Sequence, residues 1–272
     1  MGEQMTRVIK NQDKHKNIIE FRPDDKKYRY IVNGEVKKGV TGLIGQRFGK
    51  AGLIYWAKNL PLDAIRWQLK DENKPIDFIE SFISQLKDKI TKLETEASTI
   101  GTLMHTLAED YITGKKVVTP ESEPLKTMFI KFKQWWDKKG FKVIATETTC
   151  YSKELDVCGT FDAIVKHNKY KNKNILLDFK TSKDFYVDQP IQISTYKKLI
   201  EDSTNLKIDY LGIVNIPKDV KKDISLRMFE MKPRYLKAFK VCQFLDDLEA
   251  DFKKRDLEYK KQIRKKEKNN AI

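Results

Sequence analysis

The spacing of apolar residues changes character several times along this chain of 272 residues, and each change predicts a different element. Residues 1–27 are polar and of mixed charge and read as a loose arm. YRYIVNGEVKKGV (28–40) alternates about Asn33-Gly34, a dipeptide suited to a tight hairpin turn. Helical spacing follows over AGLIYWAKNL (51–60), DAIRWQL (63–69) and PIDFIESFISQLKDKITKL (75–93). In STIGTLMHTLAEDYITGK (98–115), Ile100, Leu103, Met104, Leu107, Ala108 and Tyr111 form one core-facing stripe. Ser98 or Thr99 is its expected N-cap and Gly114 its stop. A further helix over SEPLKTMFIKFKQWWDKK (122–139) ends at Gly140.

The period then shortens. FKVIATETTCYS (141–152), VCGTFDAIVKH (157–167) and NILLDFKTS (174–182) read as successive strands, the last two joined by a polar turn. Asp188 or Gln189, with Pro190, opens a helix running through Ile200. DYLGIVNIP (209–217) and DISLRMFEM (223–231) predict two more strands, and a long helix begins near Pro233. The order predicts an α/β fold with a mixed sheet flanked by helices. Three regions are expected: an arm, hairpin and helical region over 1–97, a core over 98–252, and a basic tail over 253–272.

Charge adds a functional constraint. The formal net charge is +15, and residues 253–268 hold nine Lys and Arg against three acids. The tail reads as an electrostatic tether, yet the remainder is still basic, which points to a polyanionic partner, either nucleic acid or an acidic membrane surface, with nucleic acid favoured. Cys150, Cys158 and Cys242 form no CxxC pair, so neither a zinc nor an iron–sulfur framework is available, and a reducing compartment is implied. No apolar run approaches a membrane span, and five acids in the first 27 residues argue against a transit peptide. A soluble cytoplasmic protein without a membrane partner is expected.

The apolar run Ile175-Leu176-Leu177 reads as a strand buried on both faces, and it leads into Asp178 and Lys180. Two residues apart on a strand, these side chains share one face while Phe179 points into the core. An acid that ligates a divalent metal beside a lysine that orients or deprotonates a water fits phosphoester hydrolysis; a plain salt bridge fits as well. Asp162 lies inside the apolar pattern of GTFDAIV, and the hairpin can bring it beside Asp178. His105 borders the stripe of its helix one turn from Gly101, whose lack of a side chain lets another backbone or a ligand approach. Gln192 and Tyr196 stand at i, i+4 and, taken alone, read as partly core. Glu147 reads as an exposed alternation residue. Tyr55, Trp56, Trp135 and Trp136 can stack bases, although core packing accounts for most of them.

Gly101 to His105 (GxxxH), Gly159 to Asp162 (GxxD), Asp178 to Lys180 (DxK) and Gln192 to Tyr196 (QxxxY) occur in this order. The series resembles the PD-(D/E)XK nuclease superfamily, specifically its RecB-type exonuclease branch, including phage exonucleases and the mitochondrial genome maintenance exonuclease. The resemblance implies a restriction-endonuclease-like core with an N-terminal helical region, and weakly covers GVTGLIGQRF…LIYWAK upstream. It implies Mg²⁺ or Mn²⁺ held by His105, Asp162, Asp178 and the carbonyl of Phe179, with Lys180 catalytic and Gln192 shaping the site. Tyr196, Thr181, Ser182 and Lys183 would contact substrate. Phe161 stands where the superfamily name has Pro, as this branch allows, and three scattered cysteines cannot build the iron–sulfur cluster of some relatives. The implied activity is a DNA exonuclease on single-stranded or frayed ends, with replication or recombination proteins as partners and a host cytoplasm if phage-encoded. The rivals are a structure- or sequence-specific endonuclease on the same core, a non-catalytic nucleic-acid-binding protein and a basic helical scaffold.

Overall fold

The computed structural model describes residues 8–25, 27–48, 92, 95, 96 and 98–270, so the helices expected over 51–60, 63–69 and 75–93 lie outside the described residues, Lys92 apart. From residue 8 on, the described part of the arm is not loose. Its β1 (Ile9–Gln12) and β2 (Ile18–Phe21) pair antiparallel, and β2 pairs in turn with β3 (Tyr30–Val32). Only Ile19 of these two strands is deeply buried, against Val32, Tyr151 and Cys158. One buried residue in eight leaves no alternation for a pattern to reveal. The expected hairpin forms between β3 and β4 (Glu35–Gly39), with Asn33 and Gly34 at φ of 50° and 87°.

Helix α1 (Val40–Phe48) follows β4 directly. Helix α2, residues 98–112, carries the predicted stripe except for Leu103, which is 46% exposed on its flank; Met104 and Ala108 are fully buried, and the helix ends before Gly114 at φ 79°. Ser98 and Thr99 are not its N-cap. Residues 95 and 96 are already helical, and the Thr99 hydroxyl donates to the Thr95 carbonyl at 2.8 Å, the back-bond of a residue inside a helix. Helix α3 (Leu125–Lys139) stops as expected at Gly140, whose φ of 65° lets its N–H close on the Trp136 carbonyl.

The remaining elements are β5 (Lys142–Ser152), β6 (Val157–Lys166), β7 (Asn174–Lys180), α4 (Asp188–Ser203), β8 (Tyr210–Asn215), β9 (Ser225–Phe229) and α5 (Pro233–Asn270). All nine described strands join one mixed sheet in the order β1-β2-β3-β4-β6-β7-β8-β9, with β5 on the other side of β6. Most neighbours are antiparallel. Strands β7 and β8 are parallel because α4 carries the chain back between them, and β4 runs parallel to β6. Helices α1, α4 and the start of α5 cover one face, where Ile44, Leu199 and Phe239 pack on Leu176 and Ile213. Helices α2 and α3 cover the other, where Met104, Phe129 and Phe132 pack on Leu177, Phe179 and Val214. Among the described residues no helix is long and apolar enough to cross a membrane.

Strand β6 makes the opening. Along one side it pairs with β5 over its whole length. Its other side is divided: β4 takes Val157 and Cys158, and β7 takes Ala163 to Lys166. Residues 159–162 between them face a fork in the sheet.

Candidate active site

Asp162 stands where β6 and β7 part. Their ladder runs to Ala163 opposite Leu177, and beyond it the Asp162 carboxylate accepts the Phe179 N–H that a continuing ladder would have given to β6. A strand residue turns its N–H and C=O to the same neighbour. The Phe179 carbonyl therefore faces the fork, while the Lys180 carbonyl faces β8 and accepts from Ile216 N–H at 2.7 Å. The two-residue period of β6 also slips here. Phe161 packs with the α1 and α4 side, whereas Ala163 packs with the α2 and α3 side.

On β7 the period is intact, so Ile175, Leu177 and Phe179 pack under α2 and α3, and Asp178 and Lys180 continue the opposite face of Leu176. The Lys180 ammonium lies 2.7 Å from Asp178 Oδ2. That contact is an ion pair off the line of a hydrogen bond, and this buried oxygen has no hydrogen-bond donor. Burial raises the Asp178 carboxyl to about 6, against the pull of Lys180 and with a further push from Asp162. His105 reaches in from α2, its Nδ1 3.6 Å from Asp162 Oδ1. Burial disfavours the imidazolium, but the Asp162 carboxylate outweighs it and raises the histidine. Asp162 itself is lowered: burial opposes this, and His105, Lys180 and the Phe179 N–H overcome it. The sequence-derived quartet of His105, Asp162, Asp178 and Lys180 is thus brought together.

Glu147 does not sit as an exposed alternation residue. It is half-buried on β5, between the pairs Thr146–Ala163 and Thr148–Phe161, hence opposite Asp162, and it takes φ of 41° in the middle of a strand. Left-handed backbone at a non-glycine strand residue persists only where surrounding structure holds it. Burial, with Asp162 and Glu109 nearby, pushes the Glu147 carboxyl up to about 8. A strand pattern alone cannot announce a positive φ.

Gln192 and Tyr196 line the wall rather than an open surface. Both are buried; Gln192 Nε2 donates to Tyr196 Oη at 2.9 Å, and Tyr196 Oη bonds Thr41 Oγ1 of α1 at 3.0 Å. Tyr196 therefore shapes the site from behind, its hydroxyl already engaged. Gly159 is the reason it fits, because a Cβ there would fall 2.6 Å from the Tyr196 ring. Gly101 has a similar role toward the segment after β7: a Cβ there would meet Thr181 Oγ1 at 3.1 Å. Ser182 is half-buried, its hydroxyl donating to the Asp184 carbonyl at 2.7 Å, whereas Lys183 is exposed. Asn215, which sequence reasoning passed over, faces the carbonyls of Ser182 and Lys180; with its amide assigned so that the nitrogen meets these two acceptors, it donates to them at 2.9 and 3.1 Å and holds this segment to β8. Trp135 and Trp136 belong to the aromatic core with Phe132 and Phe141, and Trp136 also meets Phe179 edge-on. Tyr55 and Trp56 lie outside the described residues.

Among the described residues no three His, Cys, Asp or Glu side chains already stand at metal-ligand spacing. The donor set is nonetheless that of a hard divalent cation: carboxylates of Asp162 and Asp178, one oxygen without a donor, an inward carbonyl and one imidazole. Lys180 and His105 offset the carboxylate charge where a cation would do so.

No protein-family model matches the chain, and no curated protein matches its sequence. Among solved structures it is similar to one from Eubacterium rectale described as a candidate exonuclease, at a TM-score of 0.36 and 11% identity. The match covers 52% of this chain and 62% of that one. A likeness at this level carries no functional argument.

Proposed function

We propose that this chain is a metal-dependent nuclease with a PD-(D/E)XK core of the RecB type, hydrolysing DNA phosphodiester bonds from free ends. The observation that carries the reading is the fork itself. Asp162 and Asp178 meet beside a lysine whose ammonium is 2.7 Å from an otherwise donorless carboxylate oxygen. Buried carboxylates crowded together are costly, and a site that gathers them beside a lysine and a histidine is built for positive charge. Asp162, Asp178, His105 and the Phe179 carbonyl would hold Mg²⁺ or Mn²⁺, which supplies stabilisation of charge on the phosphate oxygens when bound. Lys180 orients or deprotonates the attacking water, or neutralises phosphate charge. Gln192, Tyr196 and Thr41 fix the wall behind it.

The net charge of +15 suits phosphate contacts that hold a strand without reading its sequence. The test is a time course on end-labelled linear and covalently closed circular single strands, with Mg²⁺, Mn²⁺ or EDTA. Cleavage of linear strands alone, abolished by EDTA, is the expected result. Equal cleavage of circles would replace the exonuclease reading with the endonuclease one, and undiminished cleavage in EDTA would remove the metal mechanism.

A further inference from the structure

Helix α5 carries an uncovered apolar stripe. Its first turns are docked: Phe239 and Cys242 are buried, Gln243 Nε2 donates to the Leu155 carbonyl at 2.7 Å, and Arg47 pairs with Glu249. From residue 250 to 264 every side chain is exposed except half-buried Asp256. At 100° per residue, Phe244, Leu248, Phe252, Tyr259 and Ile263 fall within about 100° of arc, the width of a buried helix face. Phe252 and Tyr259 are nevertheless 72% and 63% exposed. A projecting helix of this length has little stability of its own in water, and a stripe along it, broken only by Arg255 and Gln262, calls for a covering surface.

Charge selects the occupant. Residues 246–251 contain Asp246, Asp247, Glu249 and Asp251 and no base, whereas residues 260–266 contain five bases and no acid. A polyanion or an acidic membrane would take the basic end and be repelled by the acidic one, leaving the stripe between them unmatched. A second α5 laid antiparallel matches all three. A parallel one would set acid on acid and base on base. Lys38 and Arg47 offset part of the acidic end from within the chain, leaving it net negative.

We propose that α5 pairs with α5 of a second copy of this chain as an antiparallel two-helix coiled coil, its two-fold axis lying beside Arg255 and Asp256. In that register Leu248 packs on Ile263 and Phe252 on Tyr259, each contact made twice, as an isologous interface requires. The two-fold axis sets like flanks of the helices against each other, so Arg255 of each meets Glu258 of the other. This pairing is independent of the nuclease reading, since it uses no residue of the fork.

Sedimentation equilibrium of the full chain over a concentration series is the test, with far-UV circular dichroism melts as the folding control. The expected mass is twice the chain's 32.0 kDa. Phe252→Asp should be monomeric without loss of the cooperative melt, because the side chain touches little of its own body. Arg255→Glu and Glu258→Arg should each weaken dimerisation roughly tenfold or more through like charges at the axis. Mixed in equal amounts, those two variants should recover wild-type affinity, since one helix then carries only acids and the other only bases there. A wild-type chain monomeric throughout would overturn the pairing, and so would a mixture no better than either variant alone.

Discussion

Asp178 and Lys180 are two residues apart on β7, and their pairing lets a buried carboxylate exist next to a second one at Asp162. If the proposed function holds, Asp178→Ala and Lys180→Ala should each lower cleavage by about a hundredfold or more, leaving DNA affinity within a few-fold, because binding would be spread over phosphate contacts. Filter-binding and turnover measured on the same preparations check this; near-normal turnover of either variant would exclude the assigned chemistry. Glu147 makes a pH-dependent prediction. Its carboxyl is raised to about 8 in the folded chain against 4.5 as its ordinary value. The folded state therefore keeps a proton that the unfolded chain has lost, and its stability falls as pH rises from 4.5 through 8. In EDTA, Glu147→Gln should melt higher than wild type, by a gap that grows over this interval and levels off above it. A gap independent of pH would mean that Glu147 is not held protonated.

Elements owe their mutual approach to single small residues. Strand β6 can receive α4 because Gly159 leaves room for the Tyr196 ring, so Gly159→Ala should destabilise the chain by about 1–3 kcal/mol through overpacking. Thermal melts read that cost, and a change indistinguishable from zero would show that the ring can retreat freely. Gly101→Ala meets a hydroxyl at 3.1 Å rather than a ring at 2.6 Å. It should cost less stability but displace Thr181 and the segment that follows Lys180, so its effect should be larger on turnover than on melting. Element type was legible where apolar patterns were long, as in α2, α3 and the β6–β7 hairpin, even though the period of β6 slips at Asp162. It was not legible in β1 and β2, which bury one side chain deeply between them and are held by backbone pairing to β3. The projecting part of α5 offers more than its basic composition suggested: beside the expected tether, a stripe appears when residues 244–263 are wound at the helical angle.

At the scale of the whole molecule, the fork should respond to divalent metal as one unit. Mn²⁺ should raise the melting temperature of the wild-type chain with increasing concentration, as any ligand of the folded state does, and should have no such effect on an Asp162→Asn, Asp178→Asn double variant. Differential scanning calorimetry decides this without reference to activity; an equal rise in both chains would place the metal elsewhere. The sequence by itself determined that Asp178 and Lys180 share a strand face, and that Asp162 lies within reach of them. Both follow from local geometry, a period of two and a short hairpin. It also determined a helix bearing His105 with Gly101 one turn before it. Only the tertiary structure decided that the helix leans on the end of β7, that Glu147 abandons its strand conformation opposite Asp162, and that Tyr196 is walled in by Thr41. These depend on contacts between residues far apart in the chain, where the energy that holds a strained backbone or a buried hydroxyl comes from packing that no local pattern records.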